Sequence, residues 1–166
     1  TATPRAGGFA IFGGFASAMI LMAALQWSSG ETSGYAAALA LAFGAFAFGA
    51  VDDMRPLGAR LKLVLQIALA LGFIAVFGAV ERIPAPFVGE FNLGPASVPL
   101  TAFWIVAFMN AFNFMDGMNG IAGACALFVL SALSFVSAAG GGLWAAPAIF
   151  LAAALLGYLP LNFISG

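Results

Sequence analysis

Histidine is missing from this 166-residue chain. Within these residues that excludes a histidine general base and any Cys/His zinc site. The single cysteine, Cys125, leaves no disulfide framework within these residues, and its apolar surroundings read as those of a small structural thiol. Charge is equally scarce. Only 7% of residues are charged, and five basic against six acidic side chains leave a net charge of −1. That balance excludes a basic nucleic-acid surface, and no run of like charge suggests a tail or an acidic partner.

What the chain has instead is apolar length. Hydrophobic residues make up 64% and aromatics 14%, with a mean hydropathy of +1.12, whereas soluble domains are about half apolar and a quarter charged. At about 20 residues per spanning helix, the chain has room for six or seven spans and little else. The expected fold is therefore an all-α integral membrane bundle of about six transmembrane helices, forming a single transmembrane domain over residues 1–166. Six apolar stretches can be read, at 9–27, 35–51, 63–80, 98–114, 119–138 and 143–160. The connectors are Ser28–Gly34, Asp52–Lys62, Glu81–Val98, Met115–Met118 and Gly140–Gly142, and no internal repeat is evident. Residues 28–34 and 140–142 read as plain hairpins. Glu81–Val98 differs: Pro84, Pro86 and Pro95 stand among Phe87, Val88, Gly89, Phe91, Leu93 and Gly94. A short β-hairpin on the outer membrane surface, with a structural role, fits that pattern. The chain opens on Thr1 and stops at Gly166 just after an apolar segment, so both ends are expected to be cut. A signal peptide is not expected, because several stretches of similar length follow the first.

Orientation follows from the basic residues. Arg5, Arg55, Arg60 and Lys62 fall on one side of the spans and Arg82 on the other. By the excess of basic residues in cytoplasmic loops, the first side is the cytoplasm. Whatever the sign, three polar clusters then share one membrane boundary. The first is Asp52-Asp53, followed by Arg55, Arg60 and Lys62, with Gln66 four residues beyond Lys62. Adjacent carboxylates point in different directions on a helix. They read either as a solvated helix end or as a carboxylate site facing phosphates through Mg²⁺, a hard cation that favours oxygen. Gln66 lies inside a span, where an amide needs a partner. The second cluster is Asn110, Asn113, Asp116 and Asn119, spaced by three, with Gly117 and Gly120 between. Interhelical hydrogen bonds and a helix cap account for part of it, but polar groups at that depth are expensive and usually functional. The third is Pro4-Arg5-Ala6-Gly7-Gly8, where paired glycines before a helix expose N–H groups suited to an anion. Gly13-Gly14, within the first span, reads as a close helix-packing site.

These three motifs, Pro4-Arg5-Ala6-Gly7-Gly8, Asp52-Asp53 with Leu57, Lys62 and Gln66, and Asn110-x-x-Asn113-x-x-Asp116-Gly117-x-x-Gly120, resemble three consecutive signatures of the polyprenyl-phosphate N-acetylhexosamine-1-phosphate transferases. This superfamily (WecA/MraY-like, glycosyltransferase family 4) is matched in motif order and in the proline-rich hairpin. The resemblance covers essentially the whole chain but only the central portion of a larger transferase of ten or eleven spans. It implies a multi-pass enzyme of the bacterial inner membrane with its site facing the cytoplasm. A polyprenyl (undecaprenyl) phosphate would attack the β-phosphate of a UDP-N-acetylhexosamine, releasing UMP. Mg²⁺ is implied as the ion, with Mn²⁺ able to stand in, and a homodimer would suit the family.

Carried over residue by residue, the resemblance assigns Asp52 and Asp53 to the lipid phosphate, the metal environment or proton abstraction. Electrostatic organisation around Mg²⁺ is favoured, because a phosphate oxygen scarcely needs a base at neutral pH. Lys62 is assigned to phosphate charge and Asn113 to the metal. Gly7, Gly8, Asp116, Asn119 and Asn162 are assigned to substrate binding, with Asp116 and Asn119 toward the nucleoside. The family's Met-Gly-Asp metal aspartate and histidine-containing loop are expected beyond Gly166, so these residues alone are expected to lack transferase activity. The wording Asn113-Phe114-Met115-Asp116-Gly117-Met118-Asn119-Gly120 resembles the branch that starts cell-envelope polysaccharides such as the O-antigen of lipopolysaccharide. The alternatives are a phospho-MurNAc-pentapeptide transferase of peptidoglycan synthesis and, in a different class, a membrane transporter or channel.

Overall fold

The computed structural model describes residues 7–25, 32–85, 89–115 and 121–164. They form six α-helices and one β-hairpin: α1 Gly7–Leu25, α2 Thr32–Met54, α3 Ala59–Phe77, β1 Arg82–Ala85, β2 Gly89–Asn92, α4 Ser97–Met115, α5 Ile121–Ala139 and α6 Ala145–Ile164. Helices α1 to α5 are each long and apolar enough to cross a membrane, and α6 carries a shorter apolar stretch, Ala145–Pro160. These helices are apolar all round rather than striped, as suits a lipid environment. Phe103, Trp104, Phe114, Phe128 and Phe135 all stand exposed, far more apolar surface than a soluble monomer leaves uncovered. The protein is an all-α polytopic membrane protein.

Two compact units divide the chain, Thr1–Met54 with Met115–Gly166, and Arg55–Phe114. In the first, α6 packs against both α1 and α5, and α1 also packs against α2. Ala148, Ala152 and Leu155 are buried along α6 at helical spacing, with Phe15 and Met19 buried on α1. Small residues bring the helices together. A Cβ at Gly14 would sit 3.4 Å from Ala154 Cβ, and one at Gly123 would press into Leu159. Across α1 and α2, Phe12 stacks on Phe46 with centroids 4.4 Å apart, and Phe9 meets the same ring edge-on. Between α5 and α6 the chain turns within Gly140–Gly142. Gly142 N–H donates to Ser137 O at 2.7 Å while Gly141 takes φ +66°, a left-handed helix end that glycine adopts without strain.

In the second unit α3 ends at Gly78, whose N–H donates to Ile74 O from a backbone with φ +87°. The antiparallel hairpin follows, pairing Ile83 with Phe91 and Pro84 with Glu90. Leu93 N–H donates to Glu81 O, and Gly94 N–H donates to Asn92 Oδ1, leading through a short 3-10 turn at Gly94–Ala96 into α4. The expected hairpin is thus present; its tip, residues 86–88, lies outside the described residues.

One boundary is corrected. The connector read as Asp52–Lys62 shrinks to residues 55–58: α2 runs through Asp52 and Asp53 to Met54, and Lys62 lies in the first turn of α3. Hydropathy falls where charge begins, but charged residues continue a helix readily. The break comes where Pro56 pushes Arg55 out of the helical region.

Candidate functional site

At the end of α2, Asp52 is half-buried and Asp53 exposed, the divergence expected of neighbours about 100° apart on a helix. Their placement opposes the local field. The C-terminus of a helix carries partial negative charge, and a carboxylate there costs about 0.3–1 kcal/mol relative to the N-terminus. The start of α3 opposes its field likewise, with Arg60 and Lys62 in a first turn that holds no acid. Gly58 caps that turn with extended backbone and no side-chain bond. Helix-dipole energetics therefore favours neither arrangement.

Within the second unit, α3 and α4 run antiparallel and are joined by polar bonds at two levels. Near one end, Val80 N–H donates to Thr101 Oγ1 at 3.0 Å. Toward the other, Gln66 and Asn110 bond reciprocally: Asn110 Nδ2 donates to Gln66 Oε1 at 2.8 Å, and Gln66 Nε2 donates to Asn110 Oδ1 at 3.4 Å. Gln66 is 3% exposed, so Asn110 is the partner its depth demanded. Lys62, half-buried, stands one turn before Gln66, and Asn113, exposed, one turn after Asn110. Because the helices are antiparallel, both extend beyond the amide pair in the same direction. The structure therefore brings Lys62 and Asn113 to one end of this unit. The Thr101 link escaped the sequence reading; its only signal was a lone hydroxyl in the apolar first half of that span.

The remaining candidates are distributed as follows. Gly7 is buried at the start of α1, and a Cβ there would collide with the Tyr158 ring, so this glycine has a packing reason of its own. Gly8 is exposed and open around its Cβ position. Asn162 falls in the last turn of α6, where backbone but no side-chain placement is described; Asp116 and Asn119 lie outside the described residues. Gly14 makes the close helix contact expected of it, whereas Gly13 has nothing within 4 Å. Cys125 is a free, half-buried thiol on α5. Among the described residues no three His, Cys, Asp or Glu side chains gather as a metal cage. Mg²⁺ does not require one, since it keeps several waters and takes one or two carboxylates together with substrate phosphates. The Asp52-Asp53 oxygens match that donor set.

An all-α membrane protein whose charged and amide groups collect at helix ends is the class these features define. Residues 35–166 match the model of glycosyl transferase family 4, and the chain belongs to that family. It is 32% identical over 165 residues to a probable undecaprenyl-phosphate N-acetylglucosaminyl 1-phosphate transferase of Bacillus subtilis, covering 96% of this chain and 44% of that protein. It is 35% identical over 178 residues to the decaprenyl-phosphate N-acetylglucosaminephosphotransferase of Mycobacterium tuberculosis, covering 98% and 44%. A phospho-N-acetylmuramoyl-pentapeptide-transferase of Synechococcus is 34% identical over 109 residues, covering 64% and 32%. The chain thus spans less than half the length of these relatives. No solved structure gives a significant match.

Proposed function

We propose that this protein transfers an N-acetylhexosamine 1-phosphate from a UDP-sugar to a polyprenyl phosphate at the cytoplasmic face of a bacterial inner membrane. An oxygen of the lipid phosphate forms a bond to the β-phosphorus of the UDP-sugar. The bond from that phosphorus to the bridging oxygen breaks, and UMP leaves. The observation that carries the reading is the shared placement of Lys62 and Asn113 one turn beyond the Gln66–Asn110 pair. A cation and an amide at a membrane boundary suit phosphates that arrive from lipid and from water. Lys62 offsets phosphate charge as it redistributes. Asp52 and Asp53 supply hard oxygens for Mg²⁺, which when bound would neutralise the diphosphate. Gly8 offers an open backbone position for an anion, and Asn162, Asp116 and Asn119 are assigned to the sugar nucleotide.

The donor is assigned as UDP-N-acetylglucosamine or a similar small amino sugar, feeding a cell-envelope polysaccharide. Relatives named for N-acetylglucosamine transfer align over 96–98% of this chain, whereas those named for the muramoyl-pentapeptide align over 64–74%. UMP release by the full-length protein, with polyprenyl phosphate and either UDP-N-acetylglucosamine or UDP-MurNAc-pentapeptide, tests both the reaction and the donor. Asp53→Asn and Asn113→Ala are each expected to cut turnover by about 100-fold or more in protein that still folds. Chelating divalent cations is expected to stop turnover and Mg²⁺ to restore it. Full activity in both variants would overturn the assignment.

A further inference from the structure

We infer that the Gln66–Asn110 amide pair is a positioning device that holds Lys62 and Asn113 in one register. The inference takes the work of Lys62 and Asn113 from the proposed transfer reaction, but the geometry stands without it. Asn110 uses both amide protons, one to Gln66 Oε1 and the other back to Val106 O, each at 2.8 Å. The second bond fixes the Asn110 rotamer, and the first then fixes where the Gln66 carboxamide lies. Two amides bonded head to tail tolerate neither sliding nor rotation of one helix without loss of a bond.

Burial along the two helices is sparse. Among the described residues α4 buries only Thr101, and α3 only Gln66 and Ala70. In lipid no hydrophobic force drives helices together, so apolar faces with so little interlocking burial fix a register weakly. A pair of apolar side chains of similar volume would fill the same space without the cost of burying the Gln66 amide, Asn110 being exposed. Direction is what the amides add. The Val80–Thr101 bond at the far end is a single point, about which α4 can pivot; the amide pair removes that freedom. Lys62 lies four residues before Gln66, about 6 Å along α3, and Asn113 three residues after Asn110, about 4.5 Å along α4. A rotation of α4 at the level of the pair is passed directly to Asn113.

The test uses the full-length protein with Cys125→Ala as background. Gln66→Leu/Asn110→Leu removes both amides together. Asn110→Asp keeps the volume, removes both donated bonds, and stands in if the leucine pair fails to fold. In one arm, nitroxides at Lys62→Cys and Asn113→Cys report their separation by dipolar broadening. The expected result is a narrow distribution with the amides present and a broad one in either variant. In the other arm, with Lys62 and Asn113 intact, kcat for UMP release is expected to fall about 100-fold. KM for the UDP-sugar should stay within about threefold, and the melting temperature of the leucine pair at or above the parent's. A distribution that stays narrow, a kcat that is kept, or a loss that follows melting temperature would each overturn the inference. A parent that releases no UMP would sink the transferase reading, while the label arm still decides the positioning one.

Discussion

Gly7 and Gly8 are adjacent in sequence and opposite in setting. The first is buried with its missing side chain replaced by the Tyr158 ring; the second faces open space. Gly7→Ala is therefore expected to destabilise the fold by about 1–3 kcal/mol, as overpacking does, and Gly7→Ala/Tyr158→Leu to recover most of it. Gly8→Ala should leave the stability within about 0.5 kcal/mol of the parent's, so that any loss of UMP release there reports a ligand. Thermal unfolding in detergent beside turnover separates the two. Asp52 and Asp53 make the complementary point. Their identities were plain from the sequence, but their seat on the last turn of α2, against its dipole, required the helix boundary that Pro56 sets.

Helix pairs in this protein are joined in two different ways. Around α6, small residues let helices approach closely and side chains interlock, as at Gly14 with Ala154 and Gly123 with Leu159. Between α3 and α4 polar bonds hold the pair, so single atoms matter more. Thr101→Val keeps the shape but removes the acceptor of the Val80 N–H, and is expected to cost about 1–3 kcal/mol in thermal unfolding. A variant as stable as the parent would show that another group replaces the hydroxyl. The hairpin is a third kind of element. Its Arg82–Glu90 ion pair, at 3.2 Å, is exposed on both sides and contributes little, so the backbone ladder and the Asn92 turn carry its shape. Ile83 and Phe91, paired across the strands, leave an apolar face uncovered, with Phe91 63% exposed, as befits the boundary of a bilayer.

For the molecule as a whole, topology is the property on which the proposed reaction depends. Five basic residues set the expected orientation, and single cysteines in a Cys125→Ala background check it directly. Arg55→Cys, in the connector between α2 and α3, should react with an impermeant maleimide only after the membrane is opened. Glu90→Cys, on the hairpin, should react in intact cells. The reverse pattern would place the proposed site outside the cytoplasm and refute the reaction as written.

The number and order of the helices, the hairpin and the family were readable from the chain alone. Each rests on a local pattern: apolar length measured against a bilayer, prolines and glycines at the breaks, and motifs contained within about ten residues. Helix ends were less readable, because the hydropathy of Asp52, Asp53 and Lys62 drops while their backbone remains helical. Side-chain partners were not readable at all. That Gln66 needed a partner followed from its depth, but that Asn110, 44 residues away, supplies it was decided by the antiparallel return of α4. Likewise, whether Gly7 serves a ligand or a neighbouring ring depends on where Tyr158 lands, far along the chain. Local chemistry thus determined the elements and the candidate residues. Only tertiary structure decided which of those residues meet, because that depends on the relative height and rotation of helices, which a single segment does not encode.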